Sequence, residues 1–98
     1  MDEKAKVLDI AMNLTRMGNW AADGYRQREK RIKLFLENTD GYIKSLDPSK
    51  FSRKFKVTFE RFMKDYNRLK KEKPEDPLYW GEQMMTWGNI LTHRARLI

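Results

Sequence analysis

Phe51, Phe55, Phe59, Phe62, Tyr66 and Leu69 recur at steps of three and four residues, and no stretch of the chain alternates apolar and polar residues with a period of two. At about 100° per residue this spacing gathers the large side chains into one stripe of a helix, whereas a strand would scatter them over both faces. The same spacing recurs elsewhere. Val7, Leu8, Ala11, Leu14, Gly18 and Ala21 form a stripe of smaller residues, Tyr25, Ile32, Phe35, Leu36, Thr39, Tyr42, Ile43 and Leu46 a second, and Trp80, Met84, Trp87, Leu91, Ala95 and Ile98 a last one. No Asn-Gly hairpin signal interrupts them, so the expected fold class is all-α.

Two Asp-Pro pairs punctuate the second half, and both suit helix starts, with Asp47 and Asp76 as caps and Pro48 and Pro77 at the first helical position. They predict a third helix from about Pro48 to Glu72 and a fourth from Pro77. Asn19, Asp23 and Gly24 are poor helix formers, yet the apolar register runs through them unshifted. A break at Asp23-Gly24 gives four helices in a small antiparallel bundle. Continuity gives one long N-terminal helix of about 44 residues, ~65 Å, with two shorter helices, and almost requires a dimer. The Asp-Gly pair favours the break. Residues 1–98 read as a single domain without a linker or an internal repeat.

Composition removes most chemistry. With no Cys and one His there is no disulfide, thiolate nucleophile or Cys-based zinc site, and no motif that needs two imidazoles. His93 falls opposite Leu91 on the helical wheel, away from the core, and position 90 is Ile where a di-iron bundle would need Glu. The glycines at 18, 24, 41, 81 and 88 form no phosphate loop, and no Ser or Thr has an evident base. No catalytic residues, metal ligands, cofactor or small-molecule substrate are evident, and a non-enzymatic protein is expected. The acidic start and the lack of an apolar run near 18 residues predict a soluble, cytoplasmic chain that does not enter a membrane.

Two features point to macromolecular partners. The last helix carries a second apolar stripe, Tyr79, Ile90 and Leu97, about 100° from its main one, and Gly81 and Gly88 would admit a close neighbour. A helix apolar on most sides is either buried on most sides or a contact for another protein or a second copy of the chain. That makes a protein-interaction or self-associating module the first expectation. The alternative is nucleic-acid binding, because residues 25–73 carry a net charge of +9. Lys50, Lys54, Arg61, Lys64, Arg68 and Lys71 follow one flank of the third helix, and Arg26, Lys30, Lys33 and Lys44 form a shorter strip on the second. Side by side, the strips would attract phosphates through counterion release. No exposed aromatic is expected among them to stack on bases, and Tyr25, Tyr42 and Tyr66 are expected at the core's edge with hydroxyls in water.

Overall fold

The computed structural model describes residues 2–98. Three α-helices follow one another, α1 (Glu3–Ser45), α2 (Arg53–Leu69) and α3 (Pro77–Arg94), with short 3-10 turns at Pro48–Lys50 and Ala95–Leu97. No strand occurs among the described residues. The count is three where four were expected, because Glu3–Ser45 forms one element made of two helical arms joined at a kink. It does not run straight. Gly24 has φ 153° and ψ 84°, outside the helical region and accessible in practice to glycine alone. The chain reverses there, and residues 25–45 return along residues 3–23. Asn13 Nδ2 donates to Asn38 Oδ1 at 2.9 Å and Thr39 Oγ1 at 3.2 Å, and Lys6 Nζ reaches the Ser45 carbonyl at 2.9 Å. A straight helix of this length would span about 65 Å, but the longest dimension of the molecule is 38 Å. The length argument for a dimer therefore lapses.

The contacts between elements define the topology. Residues 25–45 run antiparallel to α2: Ser45 leads into Arg53 through a short connection, while Tyr25 at the far end meets Trp80, which donates to the Leu69 carbonyl. In turn α2 runs antiparallel to α3, since Trp80 Nε1 donates to the Leu69 carbonyl and Trp87 Nε1 to Asp65. The ring closes where α3 lies against the first arm of α1, Gly81 on Gly18 and Gly88 on Ala11. The result is an up-down-up-down bundle of four helical arms, with Ile10, Leu14, Ile32, Phe55, Phe62 and Leu91 among its fully buried residues.

The start of α2 differs from expectation. Asp47 and Pro48 cap only a 3-10 turn, and the α-helix starts after Ser52, whose side chain accepts from Phe55 N. Phe51 explains the interruption: it is buried, with its ring edge-on to Phe55 at 4.8 Å and near Phe59 at 5.2 Å. At the other pair, Asp76 accepts from Tyr79 N and Pro77 opens α3, as expected.

The main apolar face of α3 is used internally. Its sequence places Trp80 before Gly81 and Trp87 before Gly88, so the largest and smallest residues lie about 100° apart on two successive heptads. The glycine flank admits the first arm of α1 so closely that a Cβ on Gly18 would lie 2.6 Å from the Gly81 carbonyl oxygen, and one on Gly81 would lie 2.7 Å from that of Gly18. The tryptophan flank fills the wider space toward α2, where Trp87 meets Phe62 at 5.6 Å.

Tyr66 corrects a second expectation. It is fully buried, and its hydroxyl donates to Asp40 Oδ1 at 2.8 Å and toward the Leu36 carbonyl at 3.3 Å. Lys70 Nζ stands 3.6 Å from the same carboxylate. Burial, then the Asp40 hydrogen bond and charge, push the phenol's pKa well above its ordinary value. The folded state thus holds the neutral phenol. Its contribution to stability is complete below about pH 10, where the phenol of the unfolded chain begins to ionise, and declines above it.

Two predictions follow from this packing. Gly81→Ala should destabilise the protein by roughly 1–3 kcal/mol through overpacking, whereas Gly41→Ala, on an exposed helical position with nothing within 4 Å, should stabilise it by about 0.5–1 kcal/mol. Chemical denaturation of the two variants reads both signs. Tyr66→Phe should cost about 1 kcal/mol at neutral pH and lose less stability than the parent between about pH 8 and about pH 10.5. Urea midpoints at both pH values test this, and equal alkaline losses would show that the phenol contributes nothing.

Candidate functional site

Packing two helices side by side leaves a groove wherever the flanking side chains are too short or too polar to fill it. Between α2 and α3 that groove consists of three clefts in a row. The first, about 380 Å³, lies under the connecting loop and is lined by Glu72, Lys73, Glu75, Asp76, Tyr79 and Gln83 among others. The middle one, about 400 Å³, is lined by Asp65, Arg68, Tyr79, Gln83, Thr86, Trp87 and Ile90. The third, about 330 Å³, is lined by Thr58, Arg61, Asn89, Ile90, His93 and Arg94. Tyr79 borders the first two clefts and Ile90 the last two, so the three clefts are adjacent along α3.

Residues of both expected interfaces meet here. Of the second stripe on α3, Tyr79 is 57% exposed, while Ile90 is half-buried in the groove. Leu97 is also half-buried, but it packs against the core from the 3-10 turn that ends α3. Gly81 and Gly88 face α1 of the same chain, so they do not serve an outside helix. Leu78, 60% exposed, extends the apolar end beside Tyr79. Sequence spacing gave no sign of Leu78, because it falls on neither stripe.

The basic strips do not form one face. Arg26 and Lys33 lie on the flank of α1 that carries Leu36 and Asp40, which faces α2. Lys54, Arg61 and Arg68 lie on the opposite flank of α2, toward α3. Arg68 shows this directly: it donates to Gln83 on α3 at 2.9 Å. Several cations are also partly neutralised. Arg68 pairs with Glu72 at 3.0 Å and approaches Asp65 at 4.0 Å, Lys33 pairs with Glu29 at 3.2 Å, and Lys50 stands 4.0 Å from buried Glu3. Among the described residues, Arg26, Lys30, Lys54, Arg61, Lys64 and Lys71 make no ion pair. Tyr79 and the half-buried Trp87 share the middle cleft with one cation of the strips, Arg68.

Charge changes sign along the groove. Glu72, Glu75 and Asp76 outnumber Lys73 in the first cleft, Asp65 and Arg68 oppose each other in the second, and the third has cations and no carboxylate in its lining. His93 is exposed there, as the helical wheel predicts. Among the described residues, no three His, Asp or Glu side chains gather where they could hold a metal ion. Among the described residues, no helix is long and apolar enough to cross a membrane.

A second groove lies between the two arms of α1, where Met12, Leu34, Phe35 and Tyr42 line a cleft of about 370 Å³ with Asp9, Asn13, Arg16 and Asn38. Leu34 is 60% exposed there. Neither Met12 nor Leu34 belongs to an apolar stripe in the sequence. Compared with known proteins, the chain matches no family model, no curated protein and no solved structure.

Neutralising Arg68 tests how far the middle cleft depends on its ion pairs. Because the pairs are half-exposed, Arg68→Gln should cost no more than about 1 kcal/mol. Thermal unfolding at low and high salt reads the effect, which should shrink as salt is added.

Proposed function

We propose that this chain is a non-catalytic binding module that docks another protein in the groove between α2 and α3. The observation that carries the reading is the exposed Tyr79, which borders two of three adjacent clefts, with Ile90 bordering the next pair among charged and polar side chains. Large aromatic side chains with a polar tip are the usual anchors of protein contacts, because they bury much area at little entropic cost. The polar lining of the clefts suits a partner that brings hydrogen bonds as well as apolar side chains. A second copy of the chain is one such partner. No nucleophile with a base or cluster of metal ligands is part of this reading.

Nucleic-acid binding is the second reading, favoured by the unpaired cations on α2. It is the weaker one, because a polyanion lying along the groove would meet Glu72, Glu75 and Asp76 at one end.

A photo-crosslinking side chain at position 79 should capture a discrete partner, or a second copy in the purified protein, and Ile90→Glu should suppress capture by at least tenfold. The same probe at position 34 serves as control. Equal, nonspecific yields at both positions would sink the docking reading. Light scattering at low and physiological salt, with absorbance at 260 and 280 nm, then separates self-association from bound nucleic acid. Nucleic acid that is shed with salt and lost on reversing Lys54, Arg61 and Arg68 would replace the first reading with the second.

A further inference from the structure

The third cleft carries an inference of its own, independent of whether a protein docks in the groove. Arg61 comes from α2, and Asn89, His93 and Arg94 come from the last turns of α3, yet all four line one cleft of about 330 Å³ without a carboxylate. The acid best placed to neutralise Arg61 is Asp65, one turn along the same helix. It is engaged elsewhere: its Oδ2 accepts from Trp87 Nε1 at 3.0 Å, and its Oδ1 lies 4.0 Å from Arg68. Arg61, His93 and Arg94 make no ion pair among the described residues. The carbonyl end of α3 accounts for cations at 93 and 94. It does not account for Arg61, which lies on another helix.

We propose that this cleft binds one phosphate group of a small phosphate ester. Two guanidinium forks and a neighbouring imidazole and amide can donate to three or more oxygens at once, which a phosphate offers and a carboxylate does not. A bound dianion would also relieve the repulsion among the cations. The volume is at the lower end of the roughly 300–1,000 Å³ typical of ligand pockets, and it exceeds what the phosphate itself needs. The remainder leaves room for the esterified group, with Ile90 and Thr58 also in the lining.

The test is a nuclear magnetic resonance titration of the full chain at constant ionic strength, first with inorganic phosphate and then with adenosine monophosphate. Saturable amide shifts confined to residues 58–61 and 89–94 are expected with both, and tighter binding of the ester would show that the organic group is held too. Arg61→Gln combined with Arg94→Gln should weaken binding by at least about tenfold, and Lys30→Gln combined with Lys64→Gln should leave it unchanged. Circular dichroism checks the fold of each variant. If the Arg61/Arg94 double variant does not fold, Arg61→Lys, which keeps the charge and loses the fork, should still weaken binding. Shifts that fail to saturate, that reach Lys30 and Lys64 equally, or that survive the Arg61 and Arg94 substitutions overturn the proposal. So does a short single-stranded RNA that displaces phosphate while shifting the whole outer face of α2, because the cations would then be reading a polymer backbone.

Discussion

Gly18 and Gly81 meet backbone to backbone, and that contact sets where the other helices sit. With no side chain between them, α3 lies directly on the first arm of α1, and Gly88 against Ala11 repeats the approach two turns further on. The tryptophan preceding each glycine is turned about 100° away, toward α2. The bundle is therefore lopsided, with a seam of small residues along one edge and rings along the other. Phe55, Phe59, Phe62 and Tyr66 fill the wide side as a ladder with ring centres 5.3 to 6.0 Å apart. Burying such rings supplies much of the hydrophobic stabilisation available to a chain this short. The groove between α2 and α3 is the outer edge of the wide side, where aromatic packing ends and polar side chains begin.

The stripes and the reversal at Gly24 were legible because they depend on local chemistry. Spacing at three and four residues marks a buried face, and an Asp-Gly pair marks a place where the backbone can leave the helix. What local chemistry could not decide was which of two similar signals tertiary packing would use. Asp47-Pro48 and Asp76-Pro77 look alike, but Phe51 must enter the core three residues after Pro48, so Ser52 caps the helix instead. The polar cross-links were also illegible. Glu3 is buried, where its carboxylate accepts from Asp47 N at 2.8 Å, Asn13 is buried with partners on the other arm of α1, and Tyr66 with partners on α1. Each lies among apolar residues, and only the fold reveals the group that satisfies it.

The candidate site was legible in its parts and not in its arrangement. A helical wheel places Lys54, Arg61 and Arg68 on one flank of α2, and Ile90 and His93 on outward positions of α3. It cannot say which flank faces which neighbour. That depends on the order of helices around the bundle, which brings Arg61 to His93 and Arg94 and separates it from Arg26 and Lys33. The main apolar stripe of α3 is buried with its glycines, in Trp80, Gly81, Met84, Gly88 and Leu91, while Ile90 of the second stripe is half-buried. Tyr79 and Leu78 are what remains outside.

The ring of helices closes in an order that bears on how the chain acquires its structure. Three of the four helix pairs join neighbours in sequence, through the bend at Gly24 and two short connections, so little chain entropy is lost in bringing them together. The fourth pair is the glycine seam, which joins the first arm of α1 to α3 across everything between. It has the largest loop to close, and at its centre Gly18 and Gly81 meet with only the Met85 side chain packed beside them. A seam of backbone against backbone tolerates little misalignment, so it acts as a late check on the register of the helices that formed before it.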